Sequence, residues 1–294
     1  MGKGFLRCFM GCGFAYFKRT AGIDFASFMP LDLEMPGTLI DYWKRCELQS
    51  FPHLHPDDAA MLYGKGGVYV DDQTRDLAGF VASSRFGNFK DNRLHLGLYP
   101  IPYSGRLATA DIVLLTLNPG FNLTDYYGET VVPEFRERLV ANLHQTLEGG
   151  DFPFMWLDPS ICWHSGYQYW EKKLRGVLQV IAQRKGISYL DALRSLSRRL
   201  AHVELLPYHS QDFNARNLVA KLPSANMARE FVKNNLEAAA ANGSKTVVAT
   251  RAVRAWGLAS GTKIIAYNRG QARGASLGPK TPGGKAILKR FGIC

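Results

Sequence analysis

An asparagine, a proline and a glycine follow a strongly apolar run, and they are the first candidate for chemistry in this sequence. Residues 111–117 are almost all aliphatic, which is typical of a buried parallel strand. Pro119 fixes the backbone without an amide hydrogen, and Gly120 lets the chain turn sharply against a ligand. Asn118 would then present a side-chain hydrogen-bond acceptor and donor at the strand end. A simple strand-ending turn is the alternative interpretation.

The charge of the chain is concentrated near its carboxyl terminus. The sequence has 36 Lys and Arg against 25 Asp and Glu, a net charge of +11, and no acidic residue follows Glu237. Nine basic residues lie in the last 44 positions: Arg251, Arg254, Lys263, Arg269, Arg273, Lys280, Lys285, Lys289 and Arg290. A tract of one sign inside a folded segment predicts contact with a phosphate backbone. The alternative interpretation is a basic surface that is only solvated.

Length and composition indicate an ordinary globular protein. The 294 residues are 46% hydrophobic and 21% charged, with no heptad or collagen-like repeat. No apolar run reaches the roughly 20 residues of a membrane helix, so no membrane partner is expected. The five cysteines are odd in number and widely spread, which favours reduced thiols in a cytoplasmic protein. The sequence predicts no metal and no cofactor.

Elements that could position these groups begin near Ala110, where strands and helices alternate. Strands are predicted at residues 111–117, 203–206, 246–249 and 264–266. Helices are predicted at residues 134–147, 167–184, 189–200, 224–241 and 251–258, with a last one from about 284. Leu190 should face inward on the third of these helices, and Ser224 should cap the fourth. This pattern predicts an α/β fold, a central, mostly parallel sheet of about four strands flanked by helices. Residues 106–294 would form this domain, and residues 1–105 an N-terminal extension packed on it.

Three segments of this domain resemble the uracil-DNA glycosylase superfamily. Residues 115–120 (Leu-Thr-Leu-Asn-Pro-Gly) are similar to its first motif in the mismatch-specific branch. Residues 152–156 (Phe-Pro-Phe-Met-Trp) resemble the segment that supplies an aromatic wall for a flipped base. Residues 267–277 take the place of the loop that grips DNA after the last strand, without its usual Pro-Ser. The resemblance implies the corresponding fold and the hydrolysis of an N-glycosidic bond.

The resemblance also assigns roles to individual residues. Asn118 would position the attacking water, with Asp158 as the carboxylate that assists it; Asp125 and Glu129 are further possibilities. The base-binding residues would be Gly120, Phe121, Phe154, Trp156 and Glu204, with Phe154 the first candidate for the stacking wall. The DNA-binding residues would be Asn268, Arg269, Gln271, Arg273, Ser276 and Lys280. No lysine stands in the first motif as a nucleophile, so a monofunctional enzyme that leaves an abasic site is implied.

Glu204 bears on which base is removed, because several branches carry a uracil-reading asparagine on this strand. An ionised carboxylate only accepts hydrogen bonds and suits the exocyclic amine of cytosine, whereas it would repel O4 of uracil. A one-residue slip of the strand, or a structural ion pair, would explain Glu204 equally well. With the long N-terminal extension, Glu204 favours the prokaryotic antiviral glycosylases, which remove hypermodified cytosines such as α-glucosyl-hydroxymethylcytosine from phage DNA.

Three other functions are consistent with the same residues. A uracil or mismatch repair glycosylase would share the fold and the first motif. A catalytically inactive nucleic-acid-binding protein would keep the basic tract without depending on Asn118. A nuclease could use Asp125, Glu129 and Asp158 with a metal ion, although these acids lack a recognisable metal-site spacing.

Overall fold

The computed structural model describes residues 38–64, 70–88, 91–211 and 216–293. The first 37 residues of the predicted extension, with Cys8 and Cys12, lie outside the described residues. The helices before the main sheet are α1 (Thr38–Lys44), α2 (Pro56–Gly64) and α3 (Leu77–Ala82). A small parallel pair, β1 (Val70–Asp71) and β2 (Leu94–His95), accompanies them.

The main sheet has five strands among the described residues. They are β3 (Tyr103–Ser104), β4 (Ile112–Thr116), β5 (Leu200–Glu204), β6 (Thr246–Ala249) and β7 (Ile265–Ala266), in the spatial order β3-β5-β4-β6-β7. The last four run parallel, and β3 pairs antiparallel with β5 at one edge. Leu115 of β4 lies opposite Val203 on one side and Ala249 on the other. The carboxyl ends of these strands therefore meet at one edge, and the predicted parallel-dominated α/β sheet is confirmed.

Both faces of this sheet are covered, which explains the uninterrupted apolar run of β4. Val113 and Leu115 pack into a core shared with residues of α1 and with residues 225–231. Ile112 and Leu114 point the other way, into a core shared with residues 170–181, 192–196 and 287–288. A strand with helices on both faces buries every side chain, and all five positions of β4 are buried.

Nine further α-helices lie in the described chain. They are α4 (Leu123–Val131), α5 (Pro133–Leu143), α6 (Ser165–Lys185), α7 (Tyr189–Ser197), α8 (Arg216–Val219), α9 (Pro223–Phe231), α10 (Glu237–Ala241), α11 (Arg269–Gly274) and α12 (Pro282–Arg290). A π-helical turn, Val232–Leu236, joins α9 to α10. In the described ranges, no helix has the length and apolarity needed to cross a bilayer.

Most of the predicted helices are present, with three corrections. Residues 251–258 form turns instead of a helix, because Ala252 adopts a left-handed backbone conformation with φ of 51°. Ser224 does not cap α9, which begins at Pro223; its amide donates to Asp58 Oδ1 instead. Leu190, predicted to face inward, is 40% exposed.

Candidate active site

The carboxyl ends of β4, β5 and β6 open into a cavity of about 400 Å³. Residues 116–122 supply one side of it, His202 and Glu204 come from β5, and Arg251 follows β6. Trp156 and the first turns of α6 close the opposite side. Ligands of parallel α/β sheets bind at this edge, and the volume is that of an ordinary ligand pocket.

Asn118 lies half-buried in this cavity, held by the chain that follows β5. Its Nδ2 donates to the carbonyl oxygen of Pro119 at 2.8 Å and to Oγ of Ser210 at 3.0 Å. His209 Nδ1 in turn donates to the carbonyl oxygen of Gly120 at 2.9 Å. Within the described chain no donor is bonded to Asn118 Oδ1, so this oxygen can accept from a water molecule. A Cβ on Gly120 would meet no protein atom within 4 Å, so the space beside this residue is open.

Glu204 and His202 lie side by side on the cavity face of β5. Oε1 of Glu204 is 3.8 Å from Nε2 of His202, and both side chains are buried. Among the described residues, Oε2 of Glu204 and both ring nitrogens of His202 have no hydrogen-bond partner. Buried polar atoms of this kind are costly unless a ligand satisfies them.

Burial also fixes the protonation of this pair. It raises the pKa of Glu204 to about 8, against the opposing influence of Thr116 and Arg251. It lowers the pKa of His202 to about 3, because a buried site disfavours the charged form. At neutral pH, Glu204 is therefore a neutral acid and His202 a neutral imidazole. The predicted preference of Glu204 for cytosine over uracil assumed an ionised carboxylate. The neutral acid corrects that assumption.

A second polar group lies on the other side of the cavity. His164 Nδ1 accepts from the amide of Gly166 at 2.9 Å, so its proton is on Nε2, 3.2 Å from Asp125 Oδ1. Asp125 Oδ2 accepts from the amide of Asn122 at 2.6 Å. Burial alone would raise the pKa of Asp125, but His164, His209 and this amide outweigh it and hold that pKa below its usual value. Asp125 is thus an ionised carboxylate in the cavity wall.

Aromatic rings form two of the cavity walls. Phe121 is stacked on His95, with ring centroids 3.8 Å apart. Trp156, Tyr169 and Trp170 also line the cavity. The predicted contributions of Phe121 and Trp156 to the cavity lining are consistent with this arrangement.

Phe154, the first candidate for the stacking wall, does not line the cavity. It is fully buried, and its ring packs edge-on against Trp170 at 5.4 Å and His202 at 5.5 Å. Its amide and carbonyl are both bonded to Oγ of Ser197. Phe154 therefore supports the wall from behind and cannot stack on a base.

The three candidate carboxylates do not lie together at one site. Asp125 lines the cavity, whereas Asp158 accepts from the amide of Ser160 and pairs with Arg138 at 2.9 Å, away from it. Glu129 accepts from a backbone amide, that of Tyr99. The role predicted for Asp158 thus has no geometric support, because its charge is already paired elsewhere. In the described segments, no three His, Cys, Asp or Glu residues are arranged to hold a metal ion.

The segment after β7 contains the helix α11 where a loop was predicted. Asn268 and Gln271 form a reciprocal capping box at its start, each side-chain oxygen accepting the other's amide at 3.0 Å. Ser276 Oγ accepts from the amide of Gly278. Asn268, Gln271 and Ser276 therefore have structural roles, and their contacts with DNA stay a prediction.

The basic residues of this segment lie on the surface beside the cavity. Arg269, Arg273 and Lys280 are exposed, and none of them lines the cavity. Lys173 of α6 donates to the last carbonyl of α11, and its ammonium lies 5.3 Å from the ring of Tyr169 in the cavity wall. Together with Arg251, these side chains form a basic rim, defined as Lys173, Arg251, Arg269 and Arg273.

Several cavity residues were not singled out from the sequence, namely His164, Tyr169, His202, His209 and Ser210. His202 was recoverable, because it stands two positions before Glu204 and side chains alternate along a strand. His164 directly precedes α6, and His209 and Ser210 follow β5, all three in irregular segments where no periodic signal is available. Tyr169 lies on α6 but outside the apolar face that the helical period identifies.

Comparison with known proteins adds no relative. No protein-family model, no curated protein and no solved structure matches this chain.

Proposed function

We propose that this chain is a monofunctional DNA glycosylase, which hydrolyses the N-glycosidic bond of a flipped, modified pyrimidine and leaves an abasic site. One observation carries the proposal: a single cavity combines the open amide oxygen of Asn118, the unpartnered polar atoms of β5 and two aromatic walls. The fold proposed with it is that of the uracil-DNA glycosylase superfamily.

The cavity suits the demands of this reaction. N-glycosidic cleavage passes through an oxocarbenium-like sugar, and the base must first leave the duplex at a cost of a few kcal/mol. Stacking on an aromatic side chain contributes about 1–3 kcal/mol per base, and Phe121 and Trp156 of the cavity lining would supply it. Asn118 Oδ1 would orient the water, so that catalysis depends on positioning and electrostatics.

A hypermodified cytosine, such as α-glucosyl-hydroxymethylcytosine in phage DNA, is the substrate we favour. A cavity of about 400 Å³ lies in the range that encloses drug-sized ligands, which leaves room for a substituent beyond the pyrimidine ring. An enzyme that attacks such DNA as an antiviral defence would act in the cytoplasm.

The test is to count abasic aldehydes with a reactive probe after incubation with three DNAs: unmodified, uracil-containing, and phage DNA with glucosylated hydroxymethylcytosine. We expect abasic sites in the phage DNA alone. Sites in the uracil DNA would indicate a repair enzyme instead. Binding of all three DNAs without any abasic site would indicate an inactive binding protein.

The basic rim predicts a strong salt dependence of DNA binding. Each phosphate contact contributes about 0.9 to the slope of log K against log salt concentration, so Arg269→Ala with Arg273→Ala should reduce that slope by about two for every sequence. The matched control is Arg184→Ala with Lys185→Ala, which removes two exposed charges at the far end of α6. Titrations by fluorescence anisotropy at several salt concentrations measure both; equal slopes in the two variants would contradict a role for α11.

A further inference from the structure

Glu204 occupies an unusual place for a carboxyl group. It is 5% exposed and lines the cavity, and within the described residues its Oε2 has no partner. In the described part of the chain, the one basic side chain at ion-pair distance is His202, whose Nε2 lies 3.8 Å from Oε1 of Glu204 and carries no charge. A structural glutamate would be expected to have its oxygens bonded within the protein.

The groups that face Glu204 come from four elements. They are His202 on β5, Thr116 at the end of β4, Arg251 after β6 and Tyr169 on α6. Of these, only Arg251 carries a charge that favours the ionised form, and burial outweighs it. The carboxyl group therefore holds a proton at neutral pH and faces the space that a base would fill.

We propose that Glu204 is the acid of the reaction and passes its carboxyl proton to ring nitrogen N3 of a cytosine-type base as the glycosidic bond breaks; the proposal rests on the glycosylase function. The C1′–N1 bond breaks with its electron pair on the base, and the proton neutralises the charge that develops there. The water oriented by Asn118 forms the new bond to C1′. That water releases one proton, and Glu204 regains one through solvent, so the net reaction consumes only water.

The same carboxyl group also indicates which class of base fits the cavity. A neutral acid donates through its hydroxyl and accepts through its carbonyl, which matches the N3 acceptor and the adjacent amine of cytosine. N3 of uracil already carries a hydrogen and cannot accept this proton. Substituents on C5 lie away from the N3 edge, so a modified cytosine keeps the contact.

The first arm of the test is Glu204→Gln, which keeps the shape of the side chain and removes the acid. Single-turnover cleavage of modified-cytosine DNA should fall by about 10²–10⁴-fold, while DNA affinity changes much less. The wild-type rate should fall about tenfold per pH unit above about pH 8, because only the protonated form donates. The rate of the variant should be flat over that range. Glu230→Gln on the exposed surface of α9 is the matched control and should behave as wild type.

The second arm needs no variant. A duplex that carries a 3-deaza analogue of the modified cytosine replaces N3 with a carbon and cannot receive the proton. The wild-type protein should bind it and cleave it without an alkaline loss of rate, near the level of the variant on the normal base. If Glu204→Gln keeps both the rate and the alkaline limb, the acid role is overturned and the glycosylase stands. If wild type makes no abasic site in any DNA, both proposals fall.

Discussion

Asn118→Ala should lower abasic-site formation by about 100-fold or more and leave DNA affinity within a few-fold of wild type. The substitution removes Oδ1, which accepts no hydrogen bond within the described chain, from a residue that lines the cavity. A reaction that depends on positioning loses about two orders of magnitude when the nucleophile is misplaced. Single-turnover counting of abasic sites and anisotropy titrations measure the two quantities separately.

Two further variants sharpen this prediction. Asn118→Asp keeps an accepting oxygen and should retain more activity than the alanine variant. Asn242→Ala, at the end of α10 and outside the cavity, removes the same kind of side chain and should leave the rate unchanged. Equal rates for wild type and Asn118→Ala would show that a water is not oriented at this residue.

Stability should respond strongly to pH through Glu204. Burial holds its folded-state pKa near 8, against an ordinary value of 4.5, so the folded protein retains a proton that the unfolded chain has lost. Below pH 4.5 both the folded and the unfolded states carry this proton, and Glu204 does not reduce stability. Between pH 4.5 and about 8 only the folded state carries it, so the free energy of unfolding falls as pH rises. In that window the folding equilibrium constant changes by about tenfold per pH unit, and the change ends above the folded-state value.

Urea unfolding of wild type and Glu204→Gln at pH 5 to 9 measures this effect. We expect the variant to gain stability relative to wild type as pH rises to about 8, and the difference to be constant beyond it. Taking the difference between the two proteins removes the titration of the buried histidines, which both share. For Glu230→Gln the difference from wild type should not depend on pH. A pH-independent difference for Glu204→Gln would show that this carboxyl group is ionised throughout.

The regular elements were predictable where one physical signal dominated. The aliphatic run of β4 and the spacing of Trp170, Leu174 and Val177 on α6 both reflect burial on a fixed period. Because parallel strands end at one edge, the sequence also brought Asn118 and Glu204 to a common site, where both line the cavity.

The remaining errors fall in irregular segments, where contacts distant in sequence decide the outcome. Phe154 and Asp158 lie in or beside the expected motif, but contacts with distant residues determine their positions. Phe154 is held by the hydroxyl of Ser197 on α7, and Asp158 by the guanidinium of Arg138 on α5. The protonation of Glu204 depends in the same way on the layers that surround β5. Neither spacing nor composition contains that information.

The antiparallel strand β3 limits where the chain can be shortened. It covers the outer edge of β5, and the segment before it supplies Leu39 and Trp43 to the core that also holds Val113. A chain shortened to residues 106–294 would leave β5 with a row of unpaired amides and carbonyls, which is a template for aggregation. Recombinant production, crystallisation and any split-protein design should therefore keep residues 38–293 together, because they lie in one compact unit.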